Sequence, residues 1–256
     1  MKADQLFNIK GKRALVTGGT RGLGNGMAEG LMEAGCEVVI VGTTSTVYNI
    51  ADFYNKKGYV CHGVKADLSV REQVYRCFRE SVEKLDGDLD ILVTAHGIQR
   101  RCEAESFSLR DWDDVININL NSVFILCQEA ARLMLPKRYG KIINIASMCS
   151  WFGGKEIPAY SASKGGIAQL TKELSNEWIA KGINVNAIAP GYMATDLNIA
   201  LLDPHNPRYR RITDRIPAQR WGTEEDMKGT CVFLASHASD YLGGAIIPVD
   251  GGYLAS

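Results

Sequence analysis

The chain has 256 residues, of which 46% are hydrophobic and 23% are charged, the balance of an ordinary globular protein. Lys and Arg together number 29, as do Asp and Glu, so no basic excess indicates nucleic acid or an anionic membrane surface as a partner. No uncharged run approaches the roughly 20 residues of a membrane span, and residues 1–8 lack the apolar core of a secretion signal.

Short apolar runs alternate with longer amphipathic stretches. The apolar runs predict strands at residues 13–17, 37–41, 60–65, 90–95, 141–146, 184–189 and 245–249. The amphipathic stretches predict helices at residues 24–34, 47–57, 69–84, 109–137, 159–181 and 223–235. We therefore expect a single domain over residues 1–256, with an α/β doubly wound Rossmann-type fold: a parallel sheet of about seven strands with helices on both faces.

A glycine-rich turn, TGGTRGLG at residues 17–24, follows the first predicted strand directly. Glycine allows a tight turn and a close approach of the backbone to a phosphate. The next helix offers unpaired N–H groups and the positive end of its dipole. A glycine-rich turn alone is often only a loop, but its position between a strand and a helix predicts a dinucleotide site.

The end of the second predicted strand bears on which nucleotide binds. An NAD site usually places an acid there to bond the ribose 2′-hydroxyl, whereas this strand ends in VGTTS at residues 41–45. Glu37 begins the strand and lies at its wrong end. Arg21 is either a solvated loop cation or a partner for a 2′-phosphate. With the hydroxyls of residues 43–45, it favours NADP(H) over NAD.

Tyr160 and Lys164 lie four residues apart, and Ser147 lies thirteen residues before Tyr160. On a helix, positions i and i+4 share a face, so the ammonium would lie near the phenol. A nearby cation lowers the pKa of a phenol, and an acid or base works best when its pKa approaches the working pH. The alternative is an ordinary surface pair on an amphipathic helix.

Residues 194–217 interrupt the alternation of strands and helices. The segment is long and polar and contains Pro204, Pro207 and Pro217. Because it follows a predicted strand end, where ligands of such sheets bind, we interpret it as a substrate lid. An inert surface loop is the alternative.

The glycine pattern at 17–24, Asn119, Ser147, the Tyr160-x3-Lys164 pair and Pro190-Gly191 together resemble the short-chain dehydrogenase/reductase family over essentially the whole chain. The resemblance implies a catalytic tetrad. Tyr160 would donate and accept the proton, and Lys164 would lower its pKa and bond the nicotinamide ribose. Ser147 would hold the substrate oxygen, and Asn119 would anchor a water in a proton relay.

The resemblance also implies an NAD(P)(H) site. Within it, Asp67 would contact adenine and Thr195 would bond the nicotinamide carboxamide. The positions that match the family's cofactor contacts are Gly18, Thr20, Arg21, Gly22, Leu23, Gly24, Thr43, Asp67, Leu68, Ala95, Gly97, Tyr160, Lys164, Pro190, Gly191, Met193 and Thr195.

The chain departs from the family after the fourth predicted strand. The usual Asn-Asn-Ala-Gly is replaced by Thr94-Ala95-His96-Gly97. The asparagine side chains that bond local backbone are therefore missing. His96 is either catalytic or packed beside the adenosine, and the pattern favours packing.

The pair Arg100-Arg101 follows, at the mouth of the expected site. With stretches such as residues 189–195, 215–222 and 249–254, it resembles the sugar-acid branch of the family. That branch transfers a hydride between a nicotinamide cofactor and the carbon-5 hydroxyl or ketone of acids of the gluconate or 2-keto-3-deoxygluconate type. An Arg can hold a carboxylate bidentately, so Arg100 and Arg101, with Ser147 and Tyr160, are the expected substrate contacts. Solvated charges are the alternative for both arginines.

Two other functions stay open at this point. One is a ketone reductase that uses NADPH and resembles 3-oxoacyl-carrier-protein reductases, and the other is a non-catalytic dinucleotide sensor.

The four histidines lack the spacing of metal ligands, so no metal is expected. The seven scattered cysteines indicate reduced thiols and a cytoplasmic location. The resemblance implies a homo-oligomer, commonly a tetramer, with the apolar segment 243–255 packed between subunits.

Overall fold

The computed structural model describes residues 2–195, 199, 201–203 and 205–256. The strands are β1 (Arg13–Thr17), β2 (Glu37–Gly42), β3 (Cys61–Lys65), β4 (Ile91–Thr94), β5 (Gly140–Ile145), β6 (Ile183–Pro190) and β7 (Ile246–Val249). In the described residues they form one seven-stranded sheet in the order β3-β2-β1-β4-β5-β6-β7, with every pairing parallel. The predicted fold class is confirmed, and each predicted strand matches the observed one within one residue at each end.

Helices cover both faces of the sheet. They are α1 (Ala3–Leu6), α2 (Gly22–Glu33), α3 (Thr46–Lys56), α4 (Arg71–Lys84), α5 (Leu109–Ile116), α6 (Ser122–Lys137), α7 (Pro158–Trp178), α8 (Pro207–Arg215) and α9 (Glu225–Ala235). None of these helices is both long and apolar enough to cross a membrane.

Strand alternation divides the core into two layers. Leu15 points to a buried cluster beneath α4, α6 and α7, whereas its neighbour Val16 points to one beneath α2, α3 and α9. Both side chains are fully buried. A strand covered on both faces must be apolar at every position, which explains why continuous apolar runs located the strands well.

The helix predicted over residues 109–137 is wrong in its middle. α5 ends at Ile116, a π-helical turn covers Asn117–Asn121, and α6 begins at Ser122. The side chain of Asn117 donates to the Ser69 carbonyl at 2.6 Å, outside its own helix. Such polar contacts stabilise a widened turn that the amphipathic pattern alone does not show.

Residues 194–217 contain α8, although no helix was predicted there. Asn206 caps the helix by accepting a hydrogen bond from the N–H of Arg208 at 2.9 Å, and Pro207 occupies its first turn. Ile212 and Ile216 are buried against Trp221 in a third cluster that also contains Met148 and Tyr253. Residues 196–198, 200 and 204 of the predicted lid lie outside the described part of the chain.

A buried lysine links β5 to β6 and to the segment that follows α9. Lys141 of β5 is only 1% exposed. Its ammonium donates to Asn184 Oδ1 at 2.9 Å, Asp240 Oδ1 at 2.7 Å and Ser239 Oγ at 3.3 Å. A buried charge costs free energy unless such partners surround it, so the network fixes the segment after α9 against β5 and β6.

We expect Asp240→Asn to lower the free energy of unfolding, because it leaves the ammonium of Lys141 buried without its anion. The Asp240 side chain is itself about half exposed, so the loss should be about 2 kcal/mol, below the full cost of breaking a buried pair. Urea denaturation followed by circular dichroism measures it. The matched control is Asp214→Asn, which removes an exposed pair with Arg210; equal losses in the two variants would contradict the role given to Lys141.

Candidate active site

A cavity of about 500 Å³ opens at the carboxyl ends of β1, β4, β5 and β6. The strand order reverses between β1 and β4, and ligands of open α/β sheets bind at such a switch point. The predicted site residues that line the cavity are Arg21, Gly22, Leu23, Gly24, Ala95, Gly97, Arg101, Ser147, Tyr160, Lys164, Pro190, Gly191, Met193 and Thr195.

The glycine-rich turn provides a close-packed cradle at one end of this cavity. Gly18 has φ +67°, and a Cβ there would lie 2.9 Å from the backbone of Ala95 and His96. A Cβ on Gly24 would overlap the carbonyl of Gly18. The N-terminus of α2 carries no side-chain cap, so its first N–H groups face the cavity lined by residues 21–24. This arrangement fits the pyrophosphate of a dinucleotide.

Other predicted cofactor positions lie outside the cavity lining, at the same edge of the sheet. Thr43 is exposed just beyond β2, and Thr20 packs its methyl group toward Gly42. Asp67 follows β3, where its carboxylate accepts hydrogen bonds from the N–H and hydroxyl of Ser69 at 2.9 and 2.7 Å. Leu68 is buried in the core, so its side chain does not face a ligand.

Asn119 lies in the π-helical turn and is fully buried. Its amide donates to the Ile98 carbonyl at 2.9 Å and to Ser163 Oγ at 3.2 Å, and its oxygen accepts from the Ile98 N–H at 2.8 Å. A Cβ on Gly97 would lie 3.2 Å from that oxygen. Asn119 therefore positions the backbone that follows β4, and the close approach explains the glycine at position 97.

His96 connects two elements of the site. Its Nδ1 lies 2.6 Å from Thr17 Oγ1, at the end of β1, and its Nε2 lies 2.6 Å from Ser122 Oγ, at the start of α6. Because Ser122 donates its own proton to the Ile118 carbonyl at 2.6 Å, Nε2–H donates to Ser122 and Nδ1 accepts from Thr17. Burial, assisted by the charge of Lys164, lowers the pKa of His96 to about 3, so the ring is neutral. The ring therefore bridges the end of β1 and the start of α6.

Ser147 and Tyr160 lie next to each other in the cavity lining. Ser147 follows β5 and accepts a hydrogen bond from the Cys149 N–H at 3.2 Å. Tyr160 lies in the first turn of α7 and is half-buried. Burial raises the pKa of Tyr160 to about 12, against the hydrogen bond to Ser147 and the positive charge of Arg101, which both lower it.

Lys164 does not have the predicted effect on Tyr160 in this structure. Its Nζ donates to the Ile145 carbonyl at 2.6 Å and lies 5.7 Å from the centre of the Tyr160 ring. Burial lowers the pKa of Lys164 to about 8. The expected lowering of the Tyr160 pKa is therefore replaced by a rise, because burial disfavours the charged form of both groups.

The structure separates the two adjacent arginines. Both are exposed, but Arg101 lines the cavity, whereas Arg100 pairs with Asp111 at 3.4 Å. The prediction that Arg100 contacts substrate is therefore not supported by its position. Two further cations that line the cavity, Lys155 and Arg208, were not predicted. The only sequence signal for Arg208 was its place in the proposed lid.

Comparison with known proteins identifies the class. A family model described as enoyl-(acyl carrier protein) reductase matches residues 18–254. The chain is 46% identical over 248 residues to 2-dehydro-3-deoxy-D-gluconate 5-dehydrogenase of Bacillus subtilis. The alignment covers 97% of this chain and 96% of the relative. It is 47% identical over 253 residues to the Escherichia coli protein of that name, with coverage of 97% and 98%.

A solved structure gives the same result. Gluconate 5-dehydrogenase from Burkholderia cenocepacia, in complex with NADP and tartrate, matches with a TM-score of 0.94 at 38% identity over 100% of both chains. The chain therefore belongs to the short-chain dehydrogenase/reductase family. It is an NAD(P)-dependent short-chain dehydrogenase similar to 2-dehydro-3-deoxy-D-gluconate 5-dehydrogenase, and it acts on a small molecule.

We expect His96→Ala to weaken cofactor binding, because the bridge from Thr17 to Ser122 holds the strand end that carries Gly18. The KM for the nucleotide should rise several-fold and the free energy of unfolding should fall by about 1–2 kcal/mol. His96→Asn, which keeps a donor and an acceptor, should restore part of both. Steady-state kinetics with varied nucleotide measures the first effect.

His62→Ala is the control for this experiment, because His62 pairs with Glu37 between β2 and β3, away from the cavity. A loss of stability in His96→Ala with an unchanged nucleotide KM would show that His96 only packs and does not position the cofactor loop.

Proposed function

We propose that this enzyme transfers a hydride between its nicotinamide cofactor and the carbon-5 hydroxyl or ketone of a sugar acid of the gluconate or 2-keto-3-deoxygluconate type. The observation that carries the proposal is the position of Arg101. It lines the cavity and lies close enough to Tyr160 for its charge to lower that pKa. The names of the relatives, 2-dehydro-3-deoxy-D-gluconate 5-dehydrogenase and gluconate 5-dehydrogenase, support the same substrate class.

In the oxidation direction, the substrate hydroxyl lies between Ser147 and Tyr160. Tyr160, as the phenolate, accepts the hydroxyl proton, and Ser147 donates a hydrogen bond to the oxygen as it becomes a carbonyl. The bound nicotinamide supplies the hydride chemistry. Arg101 holds the carboxylate bidentately, which orients the acid so that the carbon-5 oxygen faces Tyr160. Reduction reverses these steps, with Tyr160 as the proton donor.

Lys164 and Asn119 support the reacting groups in different ways. Lys164 lines the cavity from α7, where its ammonium donates to the Ile145 carbonyl, and it is suited to bond the nicotinamide ribose. Asn119 has its amide engaged with Ile98 and Ser163. The role we give to Asn119 is therefore to place the segment after β4, and a relay water at Asn119 stays a prediction.

We also propose that NADP(H) is preferred. β2 ends at Gly42 and is followed by exposed Thr43 and Thr44 rather than an acid. Arg21 starts α2 on the cavity side, where a 2′-phosphate would meet its guanidinium. The gluconate 5-dehydrogenase structure that contains NADP supports this choice.

The proposal also covers the oligomeric state, the substrate lid and the location of the enzyme in the cell. A homo-oligomer, as a tetramer, would cover exposed apolar side chains such as those of Phe124 and Trp112 and the edge strand β7. The described part of residues 194–217 would act as the substrate lid through α8. All seven cysteines are free thiols, which fits a cytoplasmic location.

We expect turnover of a sugar acid with formation of NADPH or NADH, followed at 340 nm with both nucleotides in parallel. The panel contains gluconate, 2-keto-3-deoxygluconate and related acids, with acyl thioesters and neutral ketones as alternatives. Tyr160→Phe should reduce turnover by about 10²–10⁴-fold, because it removes the acid/base group. Activity only on thioesters or neutral ketones would refute the sugar-acid proposal while leaving the fold and family unchanged.

The rate of alcohol oxidation should rise with pH throughout the measurable range, because the phenolate is the active form and the pKa of Tyr160 is raised to about 12. Arg101→Met removes a charge that lowers this pKa in the free enzyme, so the rising limb of the kcat/KM profile should shift to higher pH by about half a unit or more. The control is Arg100→Met, whose side chain pairs with Asp111 outside the cavity. Identical profiles for the two variants would contradict an effect of Arg101 on Tyr160.

A further inference from the structure

The charged residues that line the cavity are all basic. Among the described residues they are Arg21, Arg101, Lys155, Lys164 and Arg208, and no Asp or Glu accompanies them. The whole chain, in contrast, has 29 basic and 29 acidic residues. Arg21, at the start of α2, and Lys164, on α7, are the two that the proposed function assigns to the cofactor. The other three cations, which are Arg101, Lys155 and Arg208, are available to bind the substrate.

These three cations lie on two sides of Ser147. Arg101 follows β4, and its segment is joined to that of Lys155 by a hydrogen bond from the Cys102 N–H to the Glu156 carbonyl at 2.9 Å. Arg208 instead belongs to α8, which the chain reaches after β6. β5, which leads into Ser147, lies between β4 and β6 in the sheet, so the segments that carry Arg101 and Arg208 leave the sheet on either side of it.

The backbone that carries Arg208 is held firmly. Its N–H donates to the Asn206 side chain at 2.9 Å, and the next residue, Tyr209, stacks on Trp221 with ring centres 5.8 Å apart and an interplanar angle of 6°. Trp221 in turn donates from its indole nitrogen to Thr213 Oγ1 at 2.9 Å. The start of α8 is thus anchored beside the cavity, and the exposed side chain of Arg208 lines it from there.

The charge of Arg208 reaches the cavity wall. Tyr192, which follows β6 and lines the cavity, has a pKa raised by burial and by its neighbour Tyr253, and Arg208 acts against that rise. The guanidinium therefore lies within electrostatic range of the β6 side of the site. No described acid of the cavity lining neutralises it there, which is the environment of an anion-binding position.

We propose that Arg208 forms a second anion-binding position in the substrate cavity, on the β6 side of Ser147, and that the enzyme therefore accepts dicarboxylic sugar acids as well as monocarboxylic ones. This inference rests on the proposed function. Arg101 binds the carboxylate that both kinds of acid share, and Arg208 binds the carboxylate next to the reacting carbon. Arg208 is then a specificity-determining residue that a monocarboxylic acid does not use.

The test compares gluconate with the hexaric acids glucarate and galactarate in four proteins: the unmodified enzyme, Arg208→Met, Arg101→Met and Arg211→Met. Arg211 lies on the same helix, is exposed and does not line the cavity, so its variant controls for the loss of a charge from α8. In the unmodified enzyme a hexaric acid should be a substrate or a competitive inhibitor against gluconate.

Arg208→Met should raise the KM or Ki of the hexaric acid by about tenfold or more, the effect of losing one charge-assisted contact. It should change the KM of gluconate less than about threefold. Arg101→Met should weaken both kinds of acid, and Arg211→Met neither. As a second readout, a hexaric acid in the presence of nucleotide should raise the Tm of the unmodified enzyme but not that of Arg208→Met.

Two results would overturn the inference alone. One is turnover of gluconate-type acids with neither turnover nor inhibition by a hexaric acid, and the other is an equal loss of affinity for both kinds of acid in Arg208→Met. The latter would place Arg208 on the shared carboxylate. Failure of the proposed function looks different, since the unmodified enzyme would then turn over neutral alcohols or thioesters and no sugar acid.

Discussion

Asn119 holds the backbone of Ile98 through hydrogen bonds in both directions, and the position of the groups on the β4 side of the cavity depends on that contact. The π-helical turn brings the amide to this place, since a regular helix through Asn117–Asn121 would rotate the side chain away. Gly97 favours this close approach, because a Cβ there would lie only 3.2 Å from the amide oxygen. Arg101 follows within a few residues, so its reach into the cavity is set by the same contact.

Burial also shifts the pKa values of the two titratable groups that Tyr160 and Lys164 place in the cavity. It raises the pKa of Tyr160 and lowers that of Lys164, so it works against the charged form of each group. Bound anions change this balance, because a phosphate or carboxylate stabilises nearby cations. The basic lining therefore couples ligand charge to the protonation of Lys164, and a charged Lys164 in turn favours the phenolate. The expectation that Lys164 lowers the pKa of Tyr160 belongs to that charged state and not to the pair alone.

Much of the fold could be predicted because each strand is covered on both faces and is therefore apolar throughout, as at Leu15 and Val16. The pair Tyr160 and Lys164 could be predicted because helical spacing alone places them on one face. The π-helical turn could not, because hydrogen bonds such as that from Asn117 to Ser69 join residues far apart in sequence. α8 escaped prediction because its buried face, which includes Ile212, is short and lies among charged residues.

The same limit applies to adjacent residues with the same charge. Arg100 and Arg101 are equivalent in sequence, and only the ion pair to Asp111 shows which one turns outward. His96 shows the converse, a change that looks damaging in sequence but is compensated in three dimensions. The imidazole at position 96, where the family pattern has Ala, reaches both Thr17 and Ser122. Because these partners belong to the cofactor loop and to the helix that begins beside Asn119, His96 joins the nucleotide end of the site to its substrate end.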